Sequence, residues 1–136
     1  MTNATLRFVG RVRSQLRDPA EAPRQGAEGA PDAWLELDAA VASALDGLAE
    51  GDALVLVTWL DRADRGVLQV HPRGDVRNPL AGVFATRSPH RPNPLGLHRV
   101  TVRAIRGTRL RVGPLEAIDG TPIVDLKPVL EDSLDA

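Results

Sequence analysis

No cysteine occurs among the 136 residues, which removes disulfides, thiolate metal sites and a cysteine nucleophile together. Aromatic residues make up only 3%, so the core has to be built mostly from Val, Leu, Ala and Ile. No apolar run approaches the ~20 residues needed to span a bilayer. The start, Met1 to Arg7, lacks the basic-then-apolar pattern of a signal peptide. The expectation is a soluble, cytoplasmic protein with no membrane partner. The dinucleotide-binding Gly-x-Gly-x-x-Gly, the P-loop and the Gly-x-Ser-x-Gly elbow are absent. His71, His90 and His98 are not spaced as a metal pair on one helix, and His90 has cations rather than carboxylates beside it, so no metal is expected.

What is present fits one domain, residues 1–136, with 43% hydrophobic residues to bury. The net charge of −1 hides a segregation along the chain. Between Arg62 and Arg111 stand eleven arginines and two acids, Asp64 and Asp75, against six basic and sixteen acidic residues elsewhere. Such segregation either makes a field that attracts a polyanion or is spread over the fold as solvated positions.

The densest local signal is Phe84-Ala85-Thr86-Arg87-Ser88-Pro89-His90-Arg91-Pro92-Asn93-Pro94-Leu95-Gly96-Leu97. Proline fixes φ and keeps the preceding residue out of the helical region. Three prolines among Arg87, His90, Arg91 and Asn93 therefore predict a stiff, extended loop that displays donors and cations, a common way to build a ligand site.

Around this loop the pattern is mostly β. Alternation predicts a strand over Leu6–Val12, and short strands are expected at Ala33–Leu37, Val67–His71, Val100–Ile105, Arg109–Val112 and Ile123–Lys127. The continuous apolar run Ala53–Leu60 is the candidate central strand. Arg106-Gly107-Thr108 reads as a hairpin turn, and Asp18–Pro31 as a long loop. A helix is expected over Asp38–Leu48, with Asp38 capping its first turn and Gly47 ending it. About seven or eight short strands with one short helix point to a mainly β barrel or sandwich.

Three smaller clusters are ambiguous alone. Pro23-Arg24-Gln25 lies in the long early loop and by itself reads first as solvated surface. Asp119-Gly120-Thr121-Pro122 is good turn chemistry. Asp61-Arg62 ends the apolar strand, where a side chain either enters a pocket or caps the strand.

Taken in order, Pro23-Arg24-Gln25, the stretch Gly82–Gly96 and Asp119–Pro128 resemble the TrmO family, also called TsaA-like or YaeB-like. The resemblance covers nearly everything from Val9 to Pro128. It implies a single-sheeted β-barrel that binds S-adenosyl-L-methionine, usually as a homodimer, and methylates N6 of threonylcarbamoyladenosine beside the anticodon of threonine tRNAs. Carried over by position, its cofactor contacts fall on Pro23, Arg24, Gln25, Asp61, Arg62, Arg87, Leu97, Ala117, Ile118, Asp119 and Gly120. Arg24 or Arg87 suits the cofactor carboxylate, Asp119 its ammonium group or a ribose hydroxyl, and the backbone of Leu97 and Ile118 the adenine. Methyl transfer is an in-line displacement, so alignment of the acceptor nitrogen is the main task. Asp61 and His90 are the candidate catalytic bases for its proton.

The chain departs from the family pattern in three places. Longer bacterial members carry a further C-terminal domain, whereas this sequence stops at Ala136. Several members have His at the position of Asp61, and Tyr at that of Val129. These differences bear on the acceptor rather than the cofactor. Two further readings therefore stand beside the tRNA methyltransferase: a methyltransferase of a small-molecule acceptor, and a non-catalytic S-adenosylmethionine-binding module.

Overall fold

The computed structural model describes residues 2–24 and 26–130. The apolar run forms β3 (Ala53–Trp59), which turns Leu54, Leu56 and Thr58 inward. Strict alternation is clearest in β6 (Leu95–Arg106), where Gly96, His98, Val100 and Val102 are buried while Leu95, Leu97 and Arg99 face out. This period of two lets one face of a strand meet a core while the other meets water. With β1 (Gly10–Arg13), β2 (Ala33–Leu37), β7 (Arg109–Gly113) and β8 (Pro122–Pro128), these strands close an antiparallel barrel in the order β1-β2-β7-β6-β3-β8. The short strands β4 (Gln69–Val70) and β5 (Ala81–Gly82) form a ribbon outside it. The mainly β barrel expected from the sequence is thus present, with eight strands among the described residues, six of them in the barrel.

The interior is aliphatic, as the scarcity of aromatics requires. Val12, Leu35, Leu54, Leu56, Val102, Leu110, Leu115 and Ile123 are almost completely buried. Each such side chain contributes about 1.5–3 kcal/mol by leaving water.

Several local expectations are corrected. The first strand begins at Gly10 rather than Leu6, because the pairing with β2 and β8 starts there; Leu6 and Phe8 remain exposed. The helix expected over Asp38–Leu48 is a 3-10 helix, Ala39–Leu45, and Asp38 makes no side-chain cap; the backbone carbonyl of Asp38 takes the Val41 N–H instead. The strand expected over Val67–His71 shrinks to Gln69–Val70, since its partner β5 is also two residues long. Arg106 to Arg109 makes the expected hairpin, with Gly107 at φ 62°. No helix among the described residues is long and apolar enough to cross a membrane.

The arrangement of loops matters most for function. Strands β1, β3 and β7 end, and β2, β6 and β8 begin, at one rim, because Arg13 pairs with Trp34, Trp59 with Leu95, Thr58 with Ile123 and Ala33 with Val112. The three long connections, residues 14–32, 60–94 and 114–121, therefore all leave from that rim. The opposite rim carries the tight Gly107-Thr108 hairpin and the 38–52 connection.

Candidate functional site

Every described residue carried over from the sequence resemblance lies on one of these three loops, except Leu97, which is an outward position near the start of β6. The loops are tied to one another. The Ser14 N–H donates to Asp119 Oδ1 at 3.0 Å, and the Asp119 N–H returns a bond to the Leu16 carbonyl at 2.6 Å. The Leu115 N–H reaches the Pro31 carbonyl at 2.9 Å. Arg62 donates to the Arg17 carbonyl at 3.3 Å, and Arg73 pairs with Glu28 at 3.1 Å, joining the 60–94 loop to the 14–32 loop.

Within the 60–94 connection, the proline-rich stretch is fastened by arginine, but it is not extended loop throughout: Val83–Ala85 makes a 3-10 turn and Leu95–Leu97 already belongs to β6. The half-buried Arg91 guanidinium donates to the carbonyls of Val83, Thr86 and Ser88, with Thr86 at 3.1 Å and Ser88 at 3.2 Å. Arg91 is thus a staple and not a displayed cation. Arg65 donates to the Pro92 carbonyl at 2.6 Å and to Asn93 Oδ1 at 3.0 Å, and lies over the Trp59 ring. The Asp64 N–H donates to His90 Nδ1 at 2.9 Å. A neutral His90 therefore carries its proton on Nε2 and presents a donor at its free edge.

The remaining candidate side chains fall into two groups. Arg87, Asp61 and Arg24 are exposed and make no hydrogen bond or ion pair with another described residue; the Arg24 guanidinium lies beside Gly74. Asp119 is largely covered and already engaged: Oδ1 takes Ser14, and Oδ2 stands 3.7 Å from Arg17. A carboxylate has capacity for further donors. Ala117 is buried in the core and can offer only its backbone, and the Ile118 carbonyl already accepts from the Thr121 hydroxyl at 2.7 Å. Gly120 donates to the Val12 carbonyl and accepts from Arg11, which fixes the turn into β8. Pro23 is half-buried, and Gln25 lies outside the described residues.

The structure also reveals a network that the sequence reading passed over. The side chains of Thr58, His98 and Glu116 form a buried chain at the site rim. Thr58 Oγ1 and His98 Nε2 are 2.7 Å apart, and His98 Nδ1 contacts Glu116 Oε1. A carboxylate only accepts, so His98 donates from Nδ1, and a neutral His98 then receives the Thr58 hydroxyl at Nε2. Gly96 makes this possible, because a Cβ there would stand 2.5 Å from Thr58 Oγ1 and 2.7 Å from His98 Nε2. The visible clue was the inward parity of His98 between Gly96 and Val100, in a strand otherwise apolar on that face.

Charge is less segregated in space than along the chain. Arg103 and Arg111 share Asp32 at 3.7 and 3.2 Å, Arg73 meets Glu28, and Arg77 meets Asp75 at 2.7 Å. Arg77 holds the Asp75 carboxyl below its usual range by direct hydrogen bonding. Arg109 stacks on Trp34. Among the described residues no group of three or more His, Cys, Asp or Glu side chains is arranged to hold a metal ion.

Comparison with known proteins agrees with this geometry. A probable S-adenosyl-L-methionine-binding protein of Methanocaldococcus jannaschii is 45% identical over 95 residues, covering 67% of this chain and 75% of its own. One from Methanothermobacter thermautotrophicus is 40% identical over 127 residues, covering 93% and 90%. The crystal structure of TrmO from Pseudomonas aeruginosa superposes with a TM-score of 0.77 at 27% identity, covering 99% of this chain and 61% of that one. The chain thus spans about three-fifths of that TrmO. The model of the tRNA-methyltransferase O N-terminal domain matches residues 11–135, and the chain belongs to that family.

Proposed function

We propose that this chain binds S-adenosyl-L-methionine at the three-loop rim and transfers its methyl group to N6 of threonylcarbamoyladenosine in tRNA, with threonine tRNA as the first acceptor to try. The observation that carries this reading is convergence: three motif segments far apart in sequence meet at one end of the barrel, and the mouth of a small barrel is a common ligand site. The residues present suit the cofactor. Arg87 and Arg24 are exposed cations without a carboxylate among the described residues, fitted to an amino-acid carboxylate by charge-assisted hydrogen bonds. Asp119, held by Ser14 and Arg17, suits an ammonium group or a ribose hydroxyl. Backbone groups of Leu97, Ala117, Ile118 and Gly120, with Pro23, Gln25 and Arg62, complete the proposed cradle. When bound, the cofactor supplies an electrophilic methyl group on sulfonium.

The protein's part in the reaction is then alignment of the acceptor nitrogen and removal of its proton. His90 is poorly disposed for the second task, since the Asp64 N–H occupies the lone pair on Nδ1. Asp61, exposed at the end of β3, is the better-placed base. The unit proposed is a single barrel domain acting in the cytoplasm as a homodimer, for which the exposed Val76, Leu80 and Phe84 offer apolar surface.

A small-molecule acceptor is the second reading. It is favoured by the pairing of Arg73, Arg77, Arg103 and Arg111 with carboxylates, which leaves less free positive charge for a phosphate backbone.

Titration calorimetry with S-adenosylmethionine tests the cofactor. Micromolar binding, weakened ~10-fold by Arg87→Ala, is expected. Absence of binding by the wild type refutes the proposal. Methyl transfer to threonine tRNA, with RNA affinity falling steeply as salt rises, separates the tRNA reading from the small-molecule one. Binding without turnover on either acceptor would leave a cofactor-binding module.

A further inference from the structure

We propose that His98 and Glu116 are positioning residues that set the spacing of the cofactor cradle, with Thr58 occupying the other ring nitrogen, an inference that rests on the cofactor reading above. Between β6 and β7 the backbone ladder runs through Val102 opposite Val112 and Thr101 opposite Gly113, and then stops. Continuing that register by three residues brings His98 opposite Glu116. The two segments are joined there through side chains and not through the backbone.

The seam is buried: the His98 side chain is 5% exposed, that of Glu116 16%, and Thr58 not at all. Each member adjoins a different part of the cradle. Thr58 ends the inward face of β3 shortly before Asp61 and Arg62. His98 follows Leu97. Glu116 precedes Ala117 and Ile118. The second carboxylate oxygen of Glu116 abuts the early loop, since a Cβ on Gly26 would stand 3.2 Å from Glu116 Oε2 and 2.8 Å from the Pro114 carbonyl. That backbone carries Arg24 two residues upstream.

A hydrogen-bonded chain is directional where packing is not. His98 fixes the Glu116 carboxylate, and the carboxylate fixes how closely the 114–121 and 14–32 segments approach β6. At Gly26 and Gly96 a side chain would push the segments apart. None of the three side chains needs to touch the cofactor.

The test exploits the two imidazole nitrogens. In His98→Asn the amide nitrogen falls near the position of Nδ1 and keeps the donor to Glu116. In His98→Gln the amide reaches the position of Nε2 and keeps Thr58 instead. Both replace the ring with an amide, so a role in packing alone predicts similar losses. Positioning predicts that cofactor affinity stays within about 3-fold in His98→Asn and Glu116→Gln. It falls about 10-fold or more in His98→Gln and Glu116→Ala, the size of one lost hydrogen bond.

Amide hydrogen exchange of the wild type and variants, without cofactor, gives a second measure. Residues 26–30 and 115–120 should exchange faster in His98→Gln and Glu116→Ala, with β2 unchanged. The imidazole nitrogen spectrum of the wild type should show Nδ1 protonated and Nε2 bare. Equal losses in His98→Asn and His98→Gln that follow melting temperature, or the opposite tautomer, would overturn the proposal. A wild type that does not bind S-adenosylmethionine refutes the cofactor reading. The exchange pattern and tautomer then still decide whether the chain spaces the loops.

Discussion

Arg87 and Arg91 stand one turn of loop apart in the same motif, yet they face opposite fates on substitution. Arg91 donates to three carbonyls of its own loop, those of Val83, Thr86 and Ser88, whereas Arg87 makes no hydrogen bond or ion pair with a described residue. A hydrogen bond from a charged donor is worth about 1.5–3 kcal/mol when fully desolvated, and nearer 0.5–1 when water competes. Arg91 is half-buried, and the Val83 carbonyl it leaves still accepts from the Thr86 N–H and hydroxyl. Arg91→Ala is therefore expected to destabilise by about 1–2 kcal/mol in total. Unfolding entropy scales as about 2.1 cal/mol/K per residue, which for a domain of this length converts the loss to a fall of roughly 3–7 °C in melting temperature. Arg87→Ala should leave the melting temperature within about 1 °C. Scanning calorimetry of both variants, with amide exchange of residues 83–91, checks the pair. Unchanged stability and unchanged exchange in Arg91→Ala would show that the guanidinium fastens nothing. A substantial loss of stability in Arg87→Ala would show that it has a structural partner after all.

Leu56→Ala, in the centre of the aliphatic interior, should cost about 2–5 kcal/mol, read from chemical denaturation; a loss below 1 would mean that the barrel collapses around the gap. Asp61→Asn should abolish most methyl transfer, whereas full turnover removes Asp61 from consideration as the base. The Asp75 carboxyl should titrate below the ordinary aspartate range by NMR and rise in Arg77→Ala without returning fully, because the backbone N–H at position 77 still donates to Oδ1. Because its folded value is depressed, the stabilisation from this pair is present above the unfolded pKa and fades as pH falls through the folded one. The pair is solvated, so the melting temperature of Arg77→Ala near neutral pH should barely move.

The strands were legible wherever a single face is buried. The continuous apolar run yields Ala53–Trp59, Ala33–Leu37 stands as expected, and the β6–β7 hairpin follows from its glycine turn, although β6 starts at Leu95, five residues before the expected Val100. Periodicity failed at Leu6–Phe8, where the pattern continues after the pairing partners have run out, and in the 38–48 segment, where an apolar rhythm fits a 3-10 turn as well as an α-helix. Closure of the barrel is a property of six pairings at once and leaves no mark in any one strand. The rigid loop was readable from its prolines, yet its two arginines look alike in sequence and differ only through which carbonyls the loop turns towards them. Thr58, His98 and Glu116 escaped because their relation spans 58 residues and depends on where the β6–β7 ladder ends.

The loop asymmetry has a practical use when joined to the absence of cysteine. The Gly107-Thr108 hairpin lies at the end of the barrel away from the three long loops, and Arg106 beside it is exposed. Arg106→Cys would introduce the sole thiol of the chain. A dye or surface linker placed there would leave the loop-bearing mouth open, so that cofactor and RNA could be presented to an immobilised protein from one defined side.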